Sequence, residues 1–223
     1  MAEVIACLAR GNLELLLPGR PAERLPPPHG KQLGAVDRSG QSRTFVGISR
    51  GRAKGELCYA VQADGATSVF AYNLATGQEQ RLFRGVATAI SEIDLSVADE
   101  ALACTVAGPH GATWLGVLSD DGKGVRTVTE GDVVDRSPRW VPGGRAELVY
   151  ASAGIGRTRS GAHAGLSPFA LHRLRFAESS VEVMVSDAQY DYLSPVLVTE
   201  NLLYALRRSY QKPTERSQAA RGP

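Results

Sequence analysis

Leu57-Cys58-Tyr59-Ala60-Val61, Leu102-Ala103-Cys104-Thr105-Val106, Leu148-Val149-Tyr150-Ala151-Ser152 and Leu202-Leu203-Tyr204-Ala205-Leu206 are four versions of one short pattern. Their leading leucines lie 45, 46 and 54 residues apart in a chain of 223 residues. Short β-prone runs recurring at that period are the sequence signature of a β-propeller, with one four-stranded blade per period. The expected fold class is therefore all-β: four-stranded antiparallel blades, three complete and a fourth in part.

Working outward from each copy gives the strands of its unit. The first unit reads as strands 44–49, 57–63, 68–74 and 78–83, with Asp64-Gly65 and Ala75-Thr76-Gly77 as turns. The second reads as 90–95, 101–107, 113–118 and 125–129, with turns at Gly108-Pro109-His110-Gly111 and Asp120-Asp121-Gly122. The third reads as 137–141, 147–153, 169–176 and 181–185, and carries an excursion from Gly154 to Pro168 that stretches the last spacing. A fourth begins with 194–198 and 202–209 and then stops. The inner and second strands read as nearly continuous apolar runs because a blade is covered on both faces by its neighbours.

Before the repeats, residues 1–17 hold two apolar runs around Gly11-Asn12, a hairpin signal. A helix is the rival reading, and glycine at its centre would cost it about 1 kcal/mol. Residues 18–43 are rich in breakers, Pro26-Pro27-Pro28 among them, and read as a surface linker. Residues 44–209 are the blades, and 210–223 read as a basic, disordered tail.

Composition narrows the function classes. Net charge is +2, and residues 207–223 hold five Lys and Arg against one acid, so the rest of the chain is slightly acidic. That leaves no electrostatic footprint for nucleic acid. The abundance of arginine over lysine accords with a GC-rich, bacterial genome. No apolar run approaches the roughly 18 residues of a membrane helix, and the N-terminus lacks a signal-peptide pattern, so a cytoplasmic protein is expected. Cys58 and Cys104 fall inside apolar runs and read as buried thiols. With Cys7 they form neither a CxxC nor a cluster.

The third unit opens Ser137-Pro138-Arg139-Trp140-Val141-Pro142-Gly143-Gly144. This resembles the TolB-like, or PD40 (WD40-like), repeat, Ser-Pro-x-Trp-Ser-Pro-Asp-Gly followed by a β run. Val141 and Gly143 depart from it. Ser194-Pro195 echoes it in the fourth unit, Ser91 stands in the same column of the second, and Tyr72-Asn73-Leu74-Ala75-Thr76-Gly77 resembles the family's outer turn. In physical terms Pro138 is read as starting the inner strand, Trp140 as packing between blades, and Pro142-Gly143-Gly144 as the reversal into the second strand. The resemblance implies a module used mostly for protein–protein contact. The same propeller also gates prolyl-oligopeptidase-like peptidases.

Three and a half units do not close a ring of the family's usual six blades. Either the N-terminal hairpin supplies the outer strands of the fourth blade and closes a ring of four, or the chain is part of something longer and the missing blades come from another chain or another copy. The second reading is preferred, because small four-bladed rings are uncommon and an exposed blade face is adhesive.

Few residues carry reaction chemistry. Gly47-Ile48-Ser49-Arg50-Gly51 fits the nucleophile-elbow pattern, but a strand rather than a helix follows it. His29, His110, His163 and His172 have no partner at metal-ligand spacing. Asp120-Asp121-Gly122 and Asp132 with Asp135 lack the alternating oxygen ligands of a calcium loop. No phosphate loop is present, and no cofactor is expected. Two segments stand out as binding candidates: Arg157, Arg159 and His163 on the 154–168 excursion, and Asp132, Asp135 and Arg136 before Trp140. Long loops on a rigid scaffold are where binding usually resides. The expected function is a non-catalytic interaction or scaffolding module that binds a protein partner or itself. The alternative is the gating portion of a peptidase whose catalytic domain lies elsewhere.

Overall fold

The computed structural model describes residues 5–9, 12–16, 23–24, 44–63, 65–86, 88–118 and 124–212. Asp64, the turn at 120–122, His29, the proline run and the tail beyond Lys212 lie outside them. The chain forms two compact units, residues 1–104 with 118–126 and residues 105–117 with 127–223.

In the first unit β1 (Ile5–Ala9), β2 (Asn12–Leu16) and β3 (Glu23–Arg24) form their own three-stranded sheet. β1 pairs antiparallel with β2, Ala9 opposite Asn12, and β3 comes from the 18–43 stretch. The first blade is β4 (Thr44–Arg50), β5 (Glu56–Ala63), β6 (Ala66–Asn73) and β7 (Glu79–Val86), antiparallel in chain order. Its β5 buries Cys58, Tyr59, Ala60 and Val61 in succession, because both faces are covered. One face packs Phe45, Tyr59, Val61 and Phe70 against Leu13 of β2. Tyr59 tilts on Phe45 at 5.4 Å and stacks on Phe70 at 5.5 Å.

The other face meets β8 (Ile90–Ser96). A bulge between Phe45 and Gly47 turns Gly47 and Ser49 toward that strand, while Phe45 and Ile48 stay on the aromatic side. A Cβ on Gly47 would stand 3.0 Å from the Ile93 nitrogen and 3.1 Å from that of Glu92, so backbone approaches backbone there. Ser49 Oγ accepts a hydrogen bond from Leu95 N at 2.9 Å and donates to Asp94 Oδ1 at 3.3 Å.

The second repeat supplies β8, β9 (Ala101–Ala107), β10 (Thr113–Leu118) and β11 (Val125–Thr127). The third, in the second unit, is β12 (Val133–Trp140), β13 (Glu147–Arg157), β15 (Ala170–Arg175) and β16 (Ser180–Val185). The fourth is a two-stranded sheet, β17 (Tyr190–Thr199) with β18 (Leu202–Ser209). It packs Tyr192, Leu193 and Leu203 on Ala151, Ala153, Phe169 and Leu171 of the third. Asp191, buried at the junction, accepts from Phe169 N at 3.0 Å and from Arg208 Nε at 2.9 Å.

Two details correct the sequence reading. Pro138 does not start its strand: β12 begins at Val133, and the Ser-Pro pair lies at a register shift between Arg136 and Arg139, with Ser137 at φ 51°. Ser194 (φ 49°) occupies a like shift in β17, and in β8 the left-handed residue is Glu92 (φ 49°), one position after Ser91. Proline has no N–H to give, so it fits where the ladder is interrupted. Trp140 is buried and stacks on Phe176, rings 5.8 Å apart. The 154–168 excursion is a strand extension: β13 runs on to Arg157 and pairs with β14 (His163–Leu166). The Gly143-Gly144 reversal stands as expected, at φ 106° and 68°.

Gly47→Ala should destabilise the chain by about 1–3 kcal/mol, because a methyl there overpacks a backbone contact that cannot yield like a side chain. Urea unfolding measures it, and an unchanged midpoint would mean β4 and β8 are less tightly apposed.

Candidate functional site

The extended β13–β14 hairpin brings three of the candidate residues together. Arg157 ends β13, His163 opens β14 directly opposite it, and Asp132 lies in the connection before β12. The guanidinium grips the carboxylate with two hydrogen bonds, Nε to Oδ2 and Nη2 to Oδ1, and its Nη1 donates to Gly161 O at 3.3 Å. The forked pair holds the Asp132 carboxyl below the usual range, and the nearby His110 and His163 act in the same direction. Ile155 N donates to Asp132 O at 2.8 Å, fixing the connection to β13. Turn bonds from Gly161 N to Thr158 O and from Thr158 N to Ala162 O close the hairpin, with Arg159 exposed at its tip.

Sequence reasoning missed two members of this rim. His110 sits in a single 3-10 turn, Pro109–Gly111, at φ 53°, and Trp114 of β10 donates from Nε1 to Gly131 O at 2.9 Å. Both are distant in sequence from Asp132, so no spacing rule links them. The result is an ordered surface cluster with a mutually neutralised Asp–Arg pair at its centre. The imidazoles of His110 and His163 lie near that pair. It can offer hydrogen-bond donors to a polar partner. Among the described residues, no three His, Cys, Asp or Glu side chains are placed to hold a metal ion.

Asp135 and Arg136 do not join it. Asp135 is 2% exposed and accepts from Thr129 Oγ1 at 2.6 Å and from Ser152, its cross-strand neighbour. Thr129 Oγ1 in turn accepts from Leu115 N at 2.8 Å, and Thr113 Oγ1 donates to Asp135 O at 2.8 Å. Tyr150 and His172, opposite each other on β13 and β15, extend this polar row with rings 5.5 Å apart. Burial pushes the Asp135 and Tyr150 acidities toward the neutral forms and pulls His172 below its ordinary value. The row joins strands inside the second unit. Arg136, on the opposite side of β12 from Asp135, is exposed.

The remaining reactive groups are engaged structurally. Ser49 of the elbow-like pattern is buried and hydrogen-bonded to β8, and the chain after it turns through Gly51–Gly55 into β5. Glu56 accepts from Arg52 N at 2.7 Å and Ala53 N at 3.2 Å, closing that turn. Burial pushes the Cys58 thiol up to about 12, which leaves it protonated and unreactive. Cys104 is buried too, as its column implied.

Comparison with solved structures matches this geometry. A TolB structure from Agrobacterium tumefaciens superposes at TM-score 0.59 with 13% identity, over 93% of this chain and 70% of that one. The fold is that of TolB-like β-propellers. A chain of the nidogen/laminin complex follows at TM-score 0.57 and 12% identity, over 84% of this chain and 62% of that one. A prolyl endopeptidase matches at TM-score 0.52 and 8% identity, over 86% of this chain and 30% of that one. These likenesses are of fold. The chain spans only part of the length of each. No family model and no curated protein sequence matches it.

Asp135 sets a pH prediction. Its folded pKa lies above 3.8, so between those values the native state binds the extra proton and stability falls as pH rises through the window. Asp135→Asn keeps an acceptor and removes the buried charge. Relative to wild type it should gain stability on going from pH 4 to pH 7, read from urea midpoints. Equal differences at both pH values would mean the carboxylate is not penalised by burial.

Proposed function

We propose that this chain is a non-catalytic protein-interaction module built on a TolB-like propeller. The observation that carries this reading is the open face of the β17–β18 sheet. Val196, Val198, Leu202, Tyr204 and Leu206 are all exposed there, Tyr204 at 61% and Leu206 at 66%. Elsewhere the repeat buries the corresponding columns: Tyr59 and Val61 in β5, Cys104 in β9, Tyr150 in β13. A contiguous apolar patch on a folded β-sheet marks a surface used for contact. The ordered rim of Asp132, Arg157, His163, His110 and Trp114 supports the same reading as a second, polar recognition surface.

The peptidase-gate alternative draws on the prolyl endopeptidase likeness, which is one of fold. The buried, hydrogen-bonded Ser49 favours the non-catalytic reading, and a fluorophosphonate probe should leave it unlabelled.

The direct test is Tyr204→Lys combined with Leu206→Lys, unfolded in urea at high dilution. Contact side chains that touch little within their own chain should change stability by no more than about 0.5 kcal/mol. A loss above about 2 kcal/mol, the size of burying such a side chain, would make the face part of the internal fold and overturn the proposal.

A further inference from the structure

We propose that the tip of the β13–β14 hairpin binds a tetrahedral oxyanion: a phosphate group, carried by a phosphomonoester or free as inorganic phosphate. The proposal rests on the reading of this rim as a recognition surface and names the chemistry it recognises. The run Arg157-Thr158-Arg159-Ser160-Gly161-Ala162-His163 carries two guanidiniums, one imidazole and two hydroxyls, and no acid. The turn bonds described above close it, with Gly161 at φ 82°. Thr158 Oγ1 also accepts from Ala162 N at 3.1 Å and lies 2.9 Å from Ser160 Oγ. The donors of the tip are thus held in place before a ligand arrives, which lowers the ordering cost of binding one.

Charge at the tip is only partly matched. Asp132 is committed to Arg157 through the forked pair. Among the described residues no acid is hydrogen-bonded to Arg159 or His163, and both are exposed. Parallel pairing of Thr113 with Val134 brings the Pro109–Gly111 turn, with exposed His110, to the start of β12 and so to the same rim. Against these groups stand Asp132 and the exposed Glu130 of the connection before β12. Two arginines and two histidines therefore face two acids, one of which is spent on Arg157.

The class of anion follows from which donors remain. A guanidinium fork matches the plane of a carboxylate, and at Arg157 that fork is already filled by Asp132. What is left is a set of separate donors on separate side chains: the Arg159 guanidinium, the Ser160 hydroxyl and the ring N–H groups of His163 and His110. A phosphate offers three acceptor oxygens and up to two negative charges, and such donors can meet it one by one. A carboxylate has two oxygens in one plane and uses them less well.

The test is an NMR titration of the full chain at constant pH and ionic strength. The probes are inorganic phosphate and a phosphoserine peptide, with acetate and the unphosphorylated peptide as controls. Both phosphate probes should shift the amides of residues 158–163 and the imidazole signals of His110 and His163 along saturable curves, and the controls should not. Arg159→Ala combined with Ser160→Ala removes two bonds to a charged ligand and should weaken binding about tenfold or more, with the urea midpoint unchanged because both side chains are exposed. His163→Gln, as an independent variant, should weaken it too. Tighter binding of the peptide than of the free ion supports a phosphate borne by a protein partner, and equal affinity supports the free ion. Acetate shifting the same signals as strongly, no saturable shift with either phosphate probe, or full affinity in the double variant overturns the proposal. The apolar-face reading is judged separately, by the lysine variants in urea, and survives a negative result here.

Discussion

Sheets that are apolar on both faces impose the constraint on which this structure depends. Such a sheet is unstable in water unless something covers each side, and the chain satisfies this by laying sheet on sheet. The first blade shows the requirement at its strictest. Leu13 and its hairpin close one face over Phe45, Tyr59 and Phe70. On the other, β8 comes so close that a side chain at position 47 would press on the backbone of Glu92 and Ile93. In the second unit Ala151, Ala153, Phe169 and Leu171 meet β17 and β18 in the same way.

Polar groups between sheets follow from that closeness. Strands brought this near cannot leave a donor or acceptor unpaired without a penalty of about 1–3 kcal/mol. Ser49 answers the amide of Leu95, Thr129 that of Leu115, and Asp191 that of Phe169. Asp135 belongs to the same class. Its position beside Asp132 in the sequence suggests a surface pair, but strand alternation sends the two to different surroundings. One carboxylate grips Arg157 in solvent, and the other is held inside by Thr129 and Ser152.

The same constraint explains where contact with other molecules is expected. A repeat that buries both faces of each blade leaves an unsatisfied face wherever a blade lacks a neighbour. Among the described residues the β17–β18 sheet shows an exposed apolar face, with Tyr204 in a column that Tyr59, Cys104 and Tyr150 bury in earlier copies. The rim around Asp132 differs in kind. Its bidentate ion pair and hairpin turn fix donor groups at the surface without leaving apolar area exposed, which suits polar recognition more than adhesion.

The sequence by itself determined the all-β class, the blade period, nearly all strand positions and the buried state of Cys58 and Cys104. These depend on local alternation and on apolar runs, which are properties of adjacent residues. It did not reveal the left-handed positions at Glu92, Glu100, Ser137, Ala146 and Ser194, because no glycine marks them. Only the Ser-Pro pairs hinted at two of them. The excursion at 154–168 looked like a loop, since its glycines and Pro168 are turn formers, and pairing Ile155 with Leu166 made it a hairpin. Tertiary structure alone joined His110 and Trp114 to Asp132 and Arg157, and separated Asp135 from them. Which groups share a surface depends on how distant strands are laid side by side, and no spacing along the chain encodes that.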